Sequence, residues 1–168
     1  AIAQGKSGLP IGFCALPDRI DAAHSHYDLV VLLDVLEHVE DDIASLRTIR
    51  AKLAPGGRVL LTVPALPWLW SAHDDLHHHF RRYTEATLRQ RAEAAGLKVR
   101  AAGYFNSLLL PLVVSVRLAK KTLGIHSSDD EMPSPAANAA LRTVFRLERK
   151  LVGRIRLPLG SSLFLVAE

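Results

Sequence analysis

The stretch YDLVVLLDVLEHVEDD (27–42), followed shortly by LAPGGRVLLTVP (53–64), decides how this chain is read. Within the first, Asp28 to Leu33 is a nearly continuous apolar run. Such a run, without polar alternation, suits a strand covered on both faces, as in a parallel sheet. Ile43, Leu46, Ile49 and Leu53 then recur at helical spacing, which predicts a helix over about 41–54 with one buried stripe. Pro55-Gly56-Gly57 is expected to stop it, because neither residue type continues a helix well. Arg58 to Val63 (RVLLTV) reads as a second buried strand, closed by Pro64. Strand, helix and strand with tight connections make a right-handed βαβ crossover unit.

Outward from this unit the pattern continues. A loop rich in Trp, His and Asp runs from Pro67 to Tyr83. Thr84 is placed to cap a helix reaching about Ala95, which Gly96 ends. Leu97 to Tyr104 and Gly160 to Ala167 read as two more strands, and Phe13 to Leu16, upstream, as a short one ended by Pro17. Between the last two strands of the pattern lies a helical insertion, 106–156. Its first helix, 108–123, begins with LLLPLVV, an apolar run too short to span a bilayer. Arg117, Lys120 and Lys121 at its far end suit an interfacial or lid helix. Ser127 to Pro135 reads as a connector. Ser134 and Pro135 then open a helix whose expected buried side is Leu141, Val144, Phe145, Leu147, Leu151 and Val152. Arg142, Arg146 and Lys150 share another face.

At 168 residues, 49% hydrophobic and 23% charged, the chain has the composition of one globular domain with a real core. Its start carries no apolar signal region, and a single Cys14 demands no oxidising compartment. The expected location is cytoplasmic, extending to the inner face of the membrane. The net charge of +4 is unevenly spread. Asp28 to Asp42 is an acidic stretch, whereas Arg142, Arg146, Arg149, Lys150, Arg154 and Arg156 make a basic one. The basic segment suits phosphates, an anionic membrane surface or a plain solvated helix face. Nucleic acid is not expected, since aromatic residues are not interleaved with these charges.

The paired motifs, DVLEH after a buried strand and PGG before the next, resemble strands four and five of class I S-adenosylmethionine-dependent methyltransferases. The likeness is strongest to small-molecule enzymes of the ubiquinone-biosynthesis type. HFRRYTEATLRQRAEAAGLKV (79–99) and YFNSLLLPL (104–112) resemble a bacterial branch of that group. The resemblance implies an α/β, Rossmann-like sheet of order 3-2-1-4-5-7-6 with an antiparallel last strand, and S-adenosylmethionine as cofactor. The chain would then hold strands three to seven, with the helical insertion before the last. Strands one and two and their GxGxG loop would be missing, since Gly5, Gly8 and Gly12 follow no buried strand. On that reading the chain is the C-terminal two-thirds of a methyltransferase domain. It is expected to be inactive alone, with its first strand short of a partner.

In open α/β sheets ligands sit beyond the carboxyl ends of the strands. The resemblance puts Ala15 and Leu16 beside the adenine ring, and Asp34, Val35 and Glu37 along the cofactor. His38 and His79 are the candidate catalytic bases, because a hydroxyl nucleophile gains from a base that titrates near neutrality. Arg82 and Tyr83 would clamp the acceptor, Trp68 and Trp70 would wall its pocket, and Asn106 would line it. Core packing is the rival role for both tryptophans, and an ion pair near Glu40 is the rival for Arg82. Asp34, Glu37, His38 and His79 also resemble the metal site of small-RNA 2′-O-methyltransferases, a donor set that suits Mg²⁺ or Mn²⁺. The metal-free reading is preferred to it. The function implied is methyl transfer, at oxygen, to a small-molecule or lipid- or glycan-linked acceptor. The alternative is a non-catalytic binding or scaffold domain lacking its own cofactor loop. An oxidoreductase is argued against by the PGG turn and by the absence of a dinucleotide fingerprint.

Overall fold

A computed structural model of the chain describes residues 5–6, 8, 12, 14–20, 26–123 and 134–168. Four strands form the main sheet: β3 (Tyr27–Leu33), β4 (Leu53–Pro64), β5 (Val99–Phe105) and β6 (Ser162–Ala167). Their order is β3-β4-β6-β5. β3 and β4 run parallel, and β6 lies antiparallel to both β4 and β5, as expected of the last strand.

The core grows from the alternation in β4. Val59, Leu61 and Val63 are fully buried on one face. They oppose Ala167, Leu165 and Leu163 of β6 in register, and those are fully buried too. Helix α1 (Asp42–Arg50) and helix α3 (Glu85–Ala94) cover this face with Leu46, Ile49, Leu88 and Ala92. Asp41 and Thr84 cap their first turns through side-chain bonds to Ala44 N and Thr87 N.

Helix α1 ends at Arg50, earlier than its periodicity predicts, because Leu53 already pairs with Tyr27 across the sheet. Pro55-Gly56-Gly57 therefore lies inside β4 as a bulge. Leu53 to Arg58 of β4 stands opposite Tyr27 to Leu29 of β3. The bulge brings Gly57 against neighbouring backbone: a Cβ there would sit 2.6 Å from Tyr27 O and 2.9 Å from Ala54 O. Gly160, ahead of β6, is tighter still, with a Cβ position 2.2 Å from Phe105 O.

Three further expectations are corrected. Of the strand expected over Phe13 to Leu16, Phe13 falls outside the described residues, and the rest does not join the sheet: β1 (Cys14–Ala15) folds back on β2 (Arg19–Ile20) as a separate antiparallel pair. Thr48 Oγ1 of α1 tethers it by donating to Pro17 O at 2.9 Å. Strand β3 is not covered on both faces. Leu29, Val31 and Leu33 are 56%, 45% and 58% exposed, since β3 is an edge strand among the described residues. In the insertion, α4 (Leu110–Leu123) and α5 (Pro135–Glu148) form, but Phe145 and Leu147 face outward. Glu148 is turned inward instead, because its two carboxylate oxygens accept from Ser107 N (2.8 Å) and Leu108 N (3.1 Å). The predicted connector falls outside the described residues apart from its last two positions.

Candidate functional site

Two chain segments leave the carboxyl ends of β3 and β4 and meet. The first begins at Asp34, which takes a left-handed φ of 51° and donates its N–H to Thr62 O at 3.1 Å. That reversal starts the 3₁₀ turn Leu36–His38. The second is the loop from Ala65 to Tyr83, closed by a short ladder in which Tyr83 N donates to Pro64 O (3.0 Å) and Leu66 N to Tyr83 O (2.8 Å). Within it the reading as plain loop is corrected: Ser71 and Asp74 form a capping box that starts the short helix α2 (Ala72–Leu76). Phe80 N donates to Glu37 O at 2.8 Å and fastens the loop to the 3₁₀ turn.

The join sets His38 and His79 edge to face, with ring centroids 4.6 Å apart. His73 lies 6.3 Å from His79 and meets His77 at a tilt, with ring centroids 4.3 Å apart. Beneath them Asp74, fully buried, takes two partners on one oxygen: His79 Nδ1 at 2.9 Å and Arg82 Nε at 2.7 Å. Burial pushes the Asp74 carboxyl up, but bonds from Arg82, His79 and Ser71 outweigh it and hold it below its ordinary range. An ionised acceptor at Nδ1 keeps the proton on that nitrogen, so His79 Nε2 is the free acceptor.

Glu37 is the opposite case. It is 1% exposed, and its Oε2 is buried without a hydrogen-bond partner. Burial, reinforced by Asp34 and Asp74 against the pull of its backbone bond and Arg82, pushes its carboxyl up from 4.5 to about 7. His38 is lowered from its ordinary value by burial and by its neighbour His79. Among the described residues, donor atoms of Glu37, His38 and His79 all lie within 4.8 Å of one another; Asp34 stands outside that group.

The remaining expected residues divide. Trp68 and Trp70 are 63% and 40% exposed, so core packing is not their role, and Trp70 Nε1 donates to Asp75 Oδ1 at 2.9 Å. Arg82 and Tyr83, expected to clamp an acceptor, point inward. Arg82 is held by Asp74 and by Ala65 O (3.0 Å). Tyr83 is 2% exposed and donates to Asp42 Oδ2 at 3.0 Å, and burial lifts its phenol above the ordinary range. Near Glu40 it is Arg81 that reaches the acidic segment, donating to Val39 O and Glu40 O. Asn106, at the end of β5 with φ 58°, donates to Ser162 Oγ. Ala15 is exposed and Leu16 packs against the core. Val35 precedes the 3₁₀ turn and is half-buried. Sequence reasoning missed Asp74, although Ser71-x-x-Asp74 is a legible capping signature.

A family profile described as a methyltransferase domain matches residues 9–102. Over 87 residues the chain is 33% identical to a ubiquinone biosynthesis O-methyltransferase of Aeromonas salmonicida, covering 44% of this chain and 37% of that one. The chain thus spans little more than a third of that relative's length. A S-adenosylmethionine-dependent methyltransferase from Mesorhizobium loti matches 99% of this chain and 74% of its own, with TM-score 0.57 at 15% identity. The cyclase SpnF matches 99% of this chain and 59% of its own, with TM-score 0.53 at 16% identity. At these identities the structural likeness is one of fold, and the fold is the Rossmann-like α/β sheet of class I methyltransferases. With more than half of its residues inside the family match, the chain belongs to the methyltransferase-domain family.

Proposed function

We propose that the chain carries the acceptor side of a S-adenosylmethionine-dependent methyl transfer to an oxygen, with His79 as general base. The observation that carries this reading is the buried Asp74–His79 pair beside His38, at the strand ends where α/β sheets hold ligands. Glu37 Oε2, buried and unpartnered, fits a donor from the cofactor, and Asp34 stands at the mouth of the same crevice. When bound, S-adenosylmethionine supplies a methyl carbon activated by its sulfonium. His79 Nε2 would take the proton that the acceptor hydroxyl gives up on methylation. Asp74 stabilises the resulting imidazolium and holds the ring in line.

An acceptor with an apolar portion fits the surroundings. A cavity of about 310 Å³ beside this cluster is lined by His73, Leu112, Val113, Val116 and Arg117. The oxygen acceptor is further supported by the kinship with the Aeromonas enzyme.

A second mode of the same chemistry rests on the convergence of Glu37, His38 and His79. These three would hold a divalent cation, with Asp74 orienting His79 from behind, and the cation would polarise the acceptor hydroxyl.

The test is isothermal titration of S-adenosylmethionine into this chain and into a version extended upstream through any GxGxG segment. It is followed by methyl-transfer assays on the binder and its His79→Gln variant. Binding by the extended version, with a loss of roughly 10²-fold or more in turnover on substitution, supports the reading. Binding by neither version sinks it. Turnover abolished by a chelator and restored by Mn²⁺ selects the cation mode.

A further inference from the structure

The segment 135–159 carries Arg142, Arg146, Arg149, Lys150, Arg154 and Arg156 against one acid, Glu148. That acid is 3% exposed and both its oxygens are occupied by backbone N–H groups of Ser107 and Leu108. No negative side chain of the described segment therefore faces outward. Among the described residues, Arg156 is the exception among these cations in having an acidic partner, Glu85 at 3.1 Å. On α5 and its C-terminal cap, Arg142, Phe145, Arg146 and Arg149 fall at i, i+3, i+4 and i+7, one face of the helix, and all four are exposed. Phe145, Leu147, Ile155 and Leu159 are 45%, 54%, 55% and 48% exposed. Large apolar side chains thus stand out among cations.

We propose that this face docks on an anionic lipid surface, its arginines on the headgroups and Phe145 in the acyl boundary. The charge is complementary to such a surface. The mixture of cations with exposed apolar side chains is what an interfacial helix needs and a solvated one does not. Nucleic acid would match the charge but leave Phe145, exposed on the same face, without a role. No helix among the described residues is long and apolar enough to cross a membrane, so the contact proposed is with a surface.

The test is co-sedimentation of the protein with vesicles of phosphatidylcholine alone and of phosphatidylcholine mixed with phosphatidylglycerol, at low and high salt. Binding is expected to the anionic vesicles only and to weaken with salt. Each cation near the surface contributes roughly fivefold to partitioning. Arg142→Gln/Arg146→Gln/Arg149→Gln together should therefore weaken it on the order of a hundredfold. Phe145→Ala should weaken it at both salt levels. The substituted side chains are exposed, so circular dichroism should show unchanged folding, and single substitutions replace the triple if it does not. Equal binding to both vesicle types, or undiminished binding by the variants, overturns the proposal. So does a duplex oligonucleotide that binds more tightly than the anionic vesicles and is indifferent to Phe145→Ala. The readout needs no methyl transfer and stands apart from the reading of the site.

Discussion

Replacing Glu37 by Gln should stabilise the protein at alkaline pH and hardly at acid pH. Glu37 is 1% exposed, and one of its oxygens is unpartnered. Burial, then its acidic neighbours, raise its carboxyl from 4.5 to about 7. A carboxyl raised on folding binds more protons in the native than in the unfolded chain between these values. Its contribution is therefore fully present below 4.5 and is lost as pH rises through about 7. At 1.36 kcal/mol per pH unit the whole loss is about 3 kcal/mol. Most of it falls between pH 5 and pH 8. Gln keeps the shape and removes the titration. Thermal unfolding followed by circular dichroism, with chelator present, should show the gap between variant and parent widening from pH 5 to pH 8. For a chain of this length the widening is about 5–10 °C. Differencing the two proteins at each pH cancels the titrating groups that do not interact with Glu37. A gap of the same size at both pH values would refute the reasoning.

Asp74→Ala should lower stability by about 3–5 kcal/mol, because it leaves the Arg82 guanidinium buried without its carboxylate; adding Arg82→Leu should recover part of the lost melting temperature. Tyr83→Phe should cost roughly 1.5–3 kcal/mol in denaturant unfolding through its bond to Asp42, yet leave the acceptor KM unchanged. Gly160→Ala should destabilise by about 1–3 kcal/mol, since Phe105 O stands where the methyl must go; an unshifted chemical-denaturation midpoint would contradict this. In NMR titrations His79→Ala should raise the His38 midpoint, because it opens the His38 ring to water and removes the neighbour that, after burial, holds its value down.

The βαβ unit was legible because two apolar runs flank a helical stripe, and that topology alone brought Asp34–His38 and the 65–83 loop to one sheet edge. His38 and His79 do meet there. What was not legible has tertiary causes. An apolar run reads the same whether its strand is central or at an edge, so the exposure of Leu29, Val31 and Leu33 was hidden. Periodicity assigned Phe145 and Leu147 to a buried side, whereas Glu148 turned the helix by capping a distant backbone. Arg82 carries no local sign that it belongs to Asp74, because the left-handed turn at His78 brings the two together. Arg81, its neighbour, took the acidic partner instead.

The place of β6 has a consequence for the nascent chain. It lies between β4 and β5, and its register joins Leu61 to Leu165 and Gly103 to Phe164. β4 and β5 therefore cannot pair with each other directly. During synthesis both strands, and the apolar face beneath α1 and α3, wait open until residues 162–167 have left the ribosome. A stalled or clipped product ending before Ser162 would keep the whole βαβ unit and its histidine cluster in sequence, yet present two unpaired strand edges to its surroundings. Such a product would expose strand edges of the kind that chaperones and proteases engage.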